Sequence, residues 1–219
     1  MMLALEAVLS SEEAAAFREA AAGLTFEDGR ATAGRYARSV KANAQAAPSA
    51  QRDALLSRAQ AALSAHPVFA AAARPRRFSR LMLSRYRAGQ TYGLHVDDAL
   101  MAGMRTDLSF TLFLSEPDSY EGGALEIEDS FETRAVRLPA GSALLYPSST
   151  LHRVAPVQQG ERLAIVGWVQ SWVKGTDKRE VLFDLERAVQ EVFAREGKTP
   201  LFDTLAKTRS NLLRLWAEG

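Results

Sequence analysis

Two of the chain's three histidines, His95 and His152, stand with one aspartate and one arginine in a pattern that specifies a chemistry. His95 lies in Tyr92-Gly-Leu-His-Val-Asp97, and His152 and Arg162 follow in a later β-rich region. Two imidazoles and one carboxylate on one face suit a non-haem Fe(II) centre, with the remaining coordination positions open for a cosubstrate and O2. Arg162 then supplies a fixed cation for a carboxylate-bearing cosubstrate.

Residues i and i+2 of a strand share a face, so a strand through this stretch lets His95 and Asp97 approach one metal. Val96 then points into the opposite packing layer and Asp98 away from the metal. An isolated His-x-Asp is weak evidence, since it often marks a surface ion pair or a turn. His152 strengthens the case because it lies in another β segment. His66 is the contrast: it precedes Pro67 at a helix end, where a hydrogen-bond donor suits the terminal carbonyls, and its expected role is structural.

Arg162 opens Arg-Leu-Ala-Ile-Val-Gly-Trp-Val, where Ala164, Val166 and Trp168 share its face. A guanidinium on such an apolar face needs a partner, unless it is solvated beside Glu161 at a sheet edge. Tyr86 and Tyr92 precede the ligand pair, and each phenol is a hydrogen-bond donor. Tyr86, on its own strand ahead of the Gly89 turn, is the cosubstrate candidate; Tyr92, nearer the metal, is the candidate for substrate contact. The loop 98–106, with two methionines and a glycine, is a candidate lid with Arg105 as a second substrate contact.

The elements that must position these groups fall in three stretches. Residues 1–75 read as helical after a short strand at Leu3 to Leu9. Ser10 with Glu13 is a capping-box pattern for a helix that Gly23 stops. A second helix spans about Pro48 to Ala65, and Gly29 and Gly34 lie in an exposed connection between the two. From Phe78, eight strands are expected: 81–86, 94–97, 108–114, 124–128, 135–138, 143–146, 152–154 and 163–173, with turns at Gly122-Gly123, Pro139 to Gly141 and Gln159-Gly160. They imply two packed sheets of jelly-roll or related type. Leu182, Leu185, Val189, Val192 and Phe193 then form a helical stripe ending at Gly197, and a last helix runs from about Leu201 to Ala217. The expected organisation is an N-terminal helical region over residues 1–77, a catalytic core over 78–175 and a C-terminal helical extension over 176–219.

Composition narrows the function. Lys plus Arg number 27 and Asp plus Glu 26, a net charge of +1, which gives no support to a nucleic-acid partner or an anionic membrane surface. The absence of cysteine removes thiolate catalysis, disulfides and Cys-ligated metals, so any metal is held by His, Asp or Glu. The N-terminus lacks a basic n-region and a long apolar stretch, and no segment has the run of apolar residues that a membrane span needs, so a cytoplasmic location is expected.

These motifs resemble the Fe(II)/2-oxoglutarate-dependent dioxygenases and, within them, the bacterial PKHD-type hydroxylases, a prolyl-4-hydroxylase-like group. The resemblance covers nearly the whole chain, through Asp28 to Gly34, Arg85 to Gly89, Tyr92 to Asp98, Asp107 to Ser115, Tyr120 to Gly123 and Asn211 to Trp216. It implies that His95, Asp97 and His152 bind iron and that Arg162 binds the distal carboxylate of 2-oxoglutarate. It also implies a double-stranded β-helix in which His152 and Arg162 belong to different sheets facing one cavity. A glutamate is expected after the paired glycines, where this chain has Ala124. The reaction implied is hydroxylation by O2 with release of succinate and CO2, and the family is described as using ascorbate to keep iron reduced.

Two other readings compete: a cupin-like metalloenzyme without 2-oxoglutarate, and a non-catalytic binding module whose metal site is structural. The sequence leaves the prime substrate open between a small molecule and a peptide or protein. The apolar stripes of the C-terminal helices make a homodimer reasonable.

Overall fold

Alternation along one long strand explains most of the architecture. In the computed structural model, which describes residues 1–128 and 131–218, Leu163, Ile165 and Val169 are buried in a core shared with helices, while Arg162, Val166 and Trp168 line a cavity on the opposite face. Residues 129, 130 and 219, which the ranges 78–175 and 176–219 include, lie outside the described residues.

In chain order the elements begin with β1 (Leu3–Leu5), α1 (Ser11–Ala22), β2 (Phe26–Asp28), two short 3-10 turns (Gly29–Thr32 and Ala37–Val40), β3 (Lys41–Ala42), β4 (Ala44–Ala46), α2 (Ala50–Ala65) and α3 (Pro67–Ala73). The β-rich stretch follows with β5 (Pro75–Phe78), β6 (Met82–Arg87), β7 (Thr91–His95), β8 (Leu100–Met101), β9 (Met104–Arg105) and β10 (Leu108–Phe113). It continues with β11 (Tyr120–Gly122), β12 (Leu125–Glu128), β13 (Thr133–Val136), β14 (Ala143–Pro147), β15 (His152–Val154) and β16 (Val157–Ser171). The chain ends with α4 (Thr176–Glu196) and α5 (Pro200–Trp216).

The larger sheet runs β1-β14-β10-β16-β6-β4-β2, with β5 and β11 also paired to β16; the smaller runs β13-β12-β15-β7-β3, and β8 pairs with β9. All the pairings are antiparallel. The central strand β10 is buried at every residue, as expected where both faces are covered. Its outward face joins Phe17, Leu55, Leu63 and Phe69 of the first three helices in the main core. There Phe69, Phe78 and Phe110 pack with ring centroids 5.9–6.2 Å apart. A second cluster, including Phe113, Leu125, Ile127, Leu144 and Val154, fills the space between the sheets. The result is mainly antiparallel β-sheet with flanking helices, a double-stranded β-helix. No described helix is long and apolar enough to cross a membrane.

Several expectations hold in detail. Ser10 accepts from the Glu13 amide while Glu13 reaches back to the Ser10 amide, completing the capping box of α1. Gly197 ends α4 at φ 69°. His66 is structural, although it works chiefly as an N-cap: its Nδ1 accepts from the Phe69 amide, opening α3 directly after α2.

Other expectations need correction. Residues 1–75 contain three further strands, β2, β3 and β4, which extend both sheets. The connection around Gly29 and Gly34 is a wall of the site, and it leads into buried Lys41, Asn43 and Gln45. Pro48 lies outside α2, because Ser49 is its cap. The expected turn at Gln159-Gly160 is a kink within β16, where Gly160 takes φ 80° and β11 pairs against it.

Candidate metal centre

β7 ends on His95 and β15 begins on His152, and the two residues are direct partners across the smaller sheet. Their ring centroids are 4.3 Å apart. Asp97 completes a cluster whose potential ligand atoms all lie within 4.8 Å of one another. His95 Nε2 is 3.9 Å from Asp97 Oδ1, and His152 Nε2 is 3.7 Å from Asp97 Oδ2.

The backbone fixes the state of both imidazoles. His95 Nδ1 lies 2.8 Å from the Gly93 carbonyl oxygen and His152 Nδ1 2.9 Å from that of Thr150. A carbonyl only accepts, so each Nδ1 donates and each Nε2 is the ring nitrogen turned toward the cluster. Burial, reinforced by His152, pushes His95 down to about 4, which keeps its Nε2 lone pair available in ordinary buffers. Tyr92 stacks on the His95 ring with centroids 3.7 Å apart and limits its rotation.

Asp97 is placed differently from the expectation of a continuing strand. The ladder stops at His95, so strict alternation no longer orients the following residues. Val96 is half exposed at the cavity instead of entering a packing layer, and Asp98 also lines the cavity instead of pointing away. What holds Asp97 is Ser109 of β10, whose hydroxyl donates to Oδ2 at 2.6 Å and lies 2.8 Å from the Ser148 hydroxyl. The two imidazoles therefore come from the smaller sheet, while the carboxylate is tied to the larger one.

Arg162 and Tyr86 are paired neighbours on β16 and β6. Arg162 is 1% exposed, and its Nε and Nη2 have no hydrogen-bond partner among the described residues. Its guanidinium carbon lies 5.3 Å from the Tyr86 ring and 5.4 Å from the Phe113 ring. A buried guanidinium contacting aromatic faces still lacks an anion, a costly arrangement unless a carboxylate arrives from outside the chain. Burial pushes the Tyr86 phenol up to about 12, so it remains a donor. Two imidazole nitrogens, one carboxylate and an unpartnered buried cation on one cavity fit both Fe(II) and a dicarboxylate cosubstrate.

The cavity has a volume of about 470 Å³ and includes His95, Asp97, His152, Tyr86, Tyr92 and Arg162 in its wall. The size suits a cosubstrate together with part of a substrate. Sequence reasoning missed one wall. Lys41 and Gln45 are buried and face this space, as does Thr32. Burial pushes the Lys41 ammonium down to about 8, against the pull of Asp97 and Asp28. Two glycines admit this segment: a Cβ on Gly93 would sit 2.7 Å from Val40 Cβ, and one on Gly34 would sit 2.8 Å from Asp98 Oδ2.

Arg105 is the site expectation that fails. It binds Asp107 at 2.7 Å and Glu218 at 2.9 Å, also donates to the Ser171 carbonyl, and does not line the cavity. Its guanidinium is already matched by carboxylates, so it has little left to offer a substrate. The loop it belongs to does reach the site, through Met101, Ala102 and Met104 of the β8–β9 hairpin.

The family model of the 2OG-Fe(II) oxygenase superfamily matches residues 81–170, and that of the PKHD-type hydroxylase C-terminal domain matches residues 177–218. A PKHD-type hydroxylase of Maricaulis maris is 49% identical, with all of both chains covered, and one of Synechococcus elongatus is 51% identical over the same full extent. Among solved structures, a prolyl-4-hydroxylase from Pseudomonas putida matches with a TM-score of 0.53 at 19% identity, covering 78% of this chain and 92% of that one. A prolyl hydroxylase from Trichoplax adhaerens matches with a TM-score of 0.55 at 15% identity, covering 83% and 86%. These two establish the likeness of fold alone. Full-length identity near one half, on a fold that brings a His-Asp-His cluster and a buried arginine to one cavity, makes this chain a member of the PKHD-type hydroxylase family, an Fe(II)- and 2-oxoglutarate-dependent oxygenase.

Proposed function

We propose that His95, Asp97 and His152 hold the iron of this hydroxylase, and that Arg162 receives the distal carboxylate of 2-oxoglutarate with Tyr86 as a second donor. The observation that carries this reading is the Arg162 guanidinium: buried, without an anion among the described residues, and facing the cavity that holds the three potential ligands. A cupin-like centre that uses no 2-oxoglutarate would have no need of such a cation.

When bound, the iron activates O2 and couples oxidative decarboxylation of 2-oxoglutarate, giving succinate and CO2, to hydroxylation of a substrate C–H bond. The chain supplies placement. The Gly93 and Thr150 carbonyls hold the Nδ1 protons and leave both Nε2 atoms free for metal. Ser109 fixes the carboxylate of Asp97. Tyr92 covers one face of His95 and stands where a substrate would touch it. The segment 29–46 closes one side against solvent, which strengthens the charge interactions within.

Residues 78–175 form the catalytic unit in this reading, with 1–77 and 176–219 as supporting flanks. The substrate is a small molecule or a segment of peptide or protein; the peptide complex named for the Trichoplax enzyme supports the second type. Ascorbate as the reductant that keeps iron ferrous is carried over from the family resemblance. A homodimer through the C-terminal helices is supported by α5, which has an apolar stripe and no fully buried residue.

The test is the visible spectrum of the protein with Fe(II) and 2-oxoglutarate, recorded without oxygen. A weak charge-transfer band that disappears in His95→Ala and is weakened in Arg162→Ala is expected. Confirmed metal binding with no band at saturating 2-oxoglutarate would refute the assignment.

A further inference from the structure

With Fe(II) and 2-oxoglutarate in place, Asp97 and the two cosubstrate carboxylates offset the charges of the iron and of Arg162. The remaining charged groups of the cavity wall are then Lys41, Arg77 and Arg80 against Asp98 alone. This excess of cations is local, because the chain as a whole carries a net charge of only +1. Arg77 and Arg80 are exposed, and their charge is screened by water. Lys41 is different. It is 5% exposed, and its one hydrogen bond among the described residues runs to the Thr32 hydroxyl, 3.1 Å away.

That hydroxyl lies 2.7 Å from Gln45 Oε1, which turns the other end of the amide, Nε2, toward no partner among the described residues. Gln45 is itself 7% exposed and lines the same cavity. Thr32 thus ties a buried ammonium and a buried amide into one wall, and both have donors to spare. The Tyr92 ring, 4.8 Å from Lys41 Nζ, attracts the cation but accepts no strong hydrogen bond from it. Unfilled donors in so enclosed a place are costly unless an acceptor comes with a ligand.

We propose that Lys41 and Gln45 form the recognition site for a carboxylate group of the prime substrate, so that this hydroxylase acts on a carboxylate-bearing molecule or acidic side chain. This inference rests on the Fe(II)/2-oxoglutarate reading of the same cavity. Lys41 selects for the charge, Gln45 orients the group, and Arg77 and Arg80 at the mouth attract it electrostatically.

The test uses the protein loaded with Fe(II) and 2-oxoglutarate without oxygen. The probes are matched acids and amides: N-acetylglutamate with N-acetylglutamine, and N-acetylproline with its amide. The readout is iron-induced relaxation of probe protons in solution NMR, which reports binding near the metal without turnover. At least one acid should bind tenfold or more tightly than its amide. Lys41→Met should abolish that preference, Lys41→Arg should keep most of it, and Gln45→Leu should weaken it. The visible band in Lys41→Met, at the wild-type 2-oxoglutarate midpoint, would show that the variant is folded and its cosubstrate site intact. Equal binding of acids and amides, binding of neither, or a preference that survives Lys41→Met would overturn the proposal. So would displacement of 2-oxoglutarate by the acids, which would place their carboxylate at Arg162. Loss of the band in the wild-type protein would instead refute the underlying dioxygenase reading, and this inference with it.

Discussion

Ser109 shows how much of a metal site lies outside its ligands. Its hydroxyl at 2.6 Å from Asp97 Oδ2 is the link between the carboxylate and the larger sheet. Ser109→Ala should weaken Fe(II) affinity about 10- to 100-fold with little change in secondary structure, measured by anaerobic titration and circular dichroism. His95 gives a pH prediction for the metal-free protein. Its folded pKa is lowered by burial to about 4 from the ordinary histidine value of 6.5, so between these values the unfolded chain binds the proton more tightly. Stability should be fully present above about pH 6.5 and fall as pH drops toward 4. Thermal melts in chelator should show that decline, and His95→Gln should flatten it. The metal ligands were legible in the sequence because the chain has only three histidines and one stands two residues from an aspartate, and Arg162 because it opens an otherwise apolar strand. Ser109, Lys41 and Gln45 were not, because their roles come from partners in other strands or segments.

At the scale of elements, eight of the strands from Met82 to Ser171 were legible as alternating or apolar runs between turns, with boundaries displaced by as many as six residues, while the short β8, β9 and β11 were missed. β3 and β4 were missed too. They are two and three residues long and rich in alanine, a poor strand former, and they exist because β7 and β6 offer edges to pair with. Their approach depends on Gly93. A Cβ there would meet Val40 Cβ at 2.7 Å, closer than real Cβ contacts allow. Gly93→Ala should therefore destabilise the protein by about 1–3 kcal/mol and disturb the carbonyl that orients His95. Adding Val40→Gly should recover much of that loss in a double-mutant cycle by chemical denaturation; no recovery would mean that the strain lies elsewhere.

The whole molecule holds its candidate site between two sheets that contribute different groups: imidazoles from the smaller, and the buried Arg162 and the Asp97 anchor from the larger. The C-terminal end is fastened to this arrangement through Arg105, which joins the β8–β9 hairpin to Asp107 and Glu218. Arg105→Ala should lower stability by about 1–2 kcal/mol in denaturation experiments while leaving the 2-oxoglutarate midpoint in place. The proposed function turns on Arg162 acting as the cosubstrate cation of a His95–Asp97–His152 iron centre. Its most direct test is succinate formation from 2-oxoglutarate without added prime substrate, with Fe(II) saturating, in wild-type protein and in Arg162→Ala. Slow wild-type turnover is expected, with a rise of about a hundredfold or more in the KM for 2-oxoglutarate in the variant, at unchanged iron affinity. An unchanged KM in a folded, iron-loaded Arg162→Ala protein would contradict it.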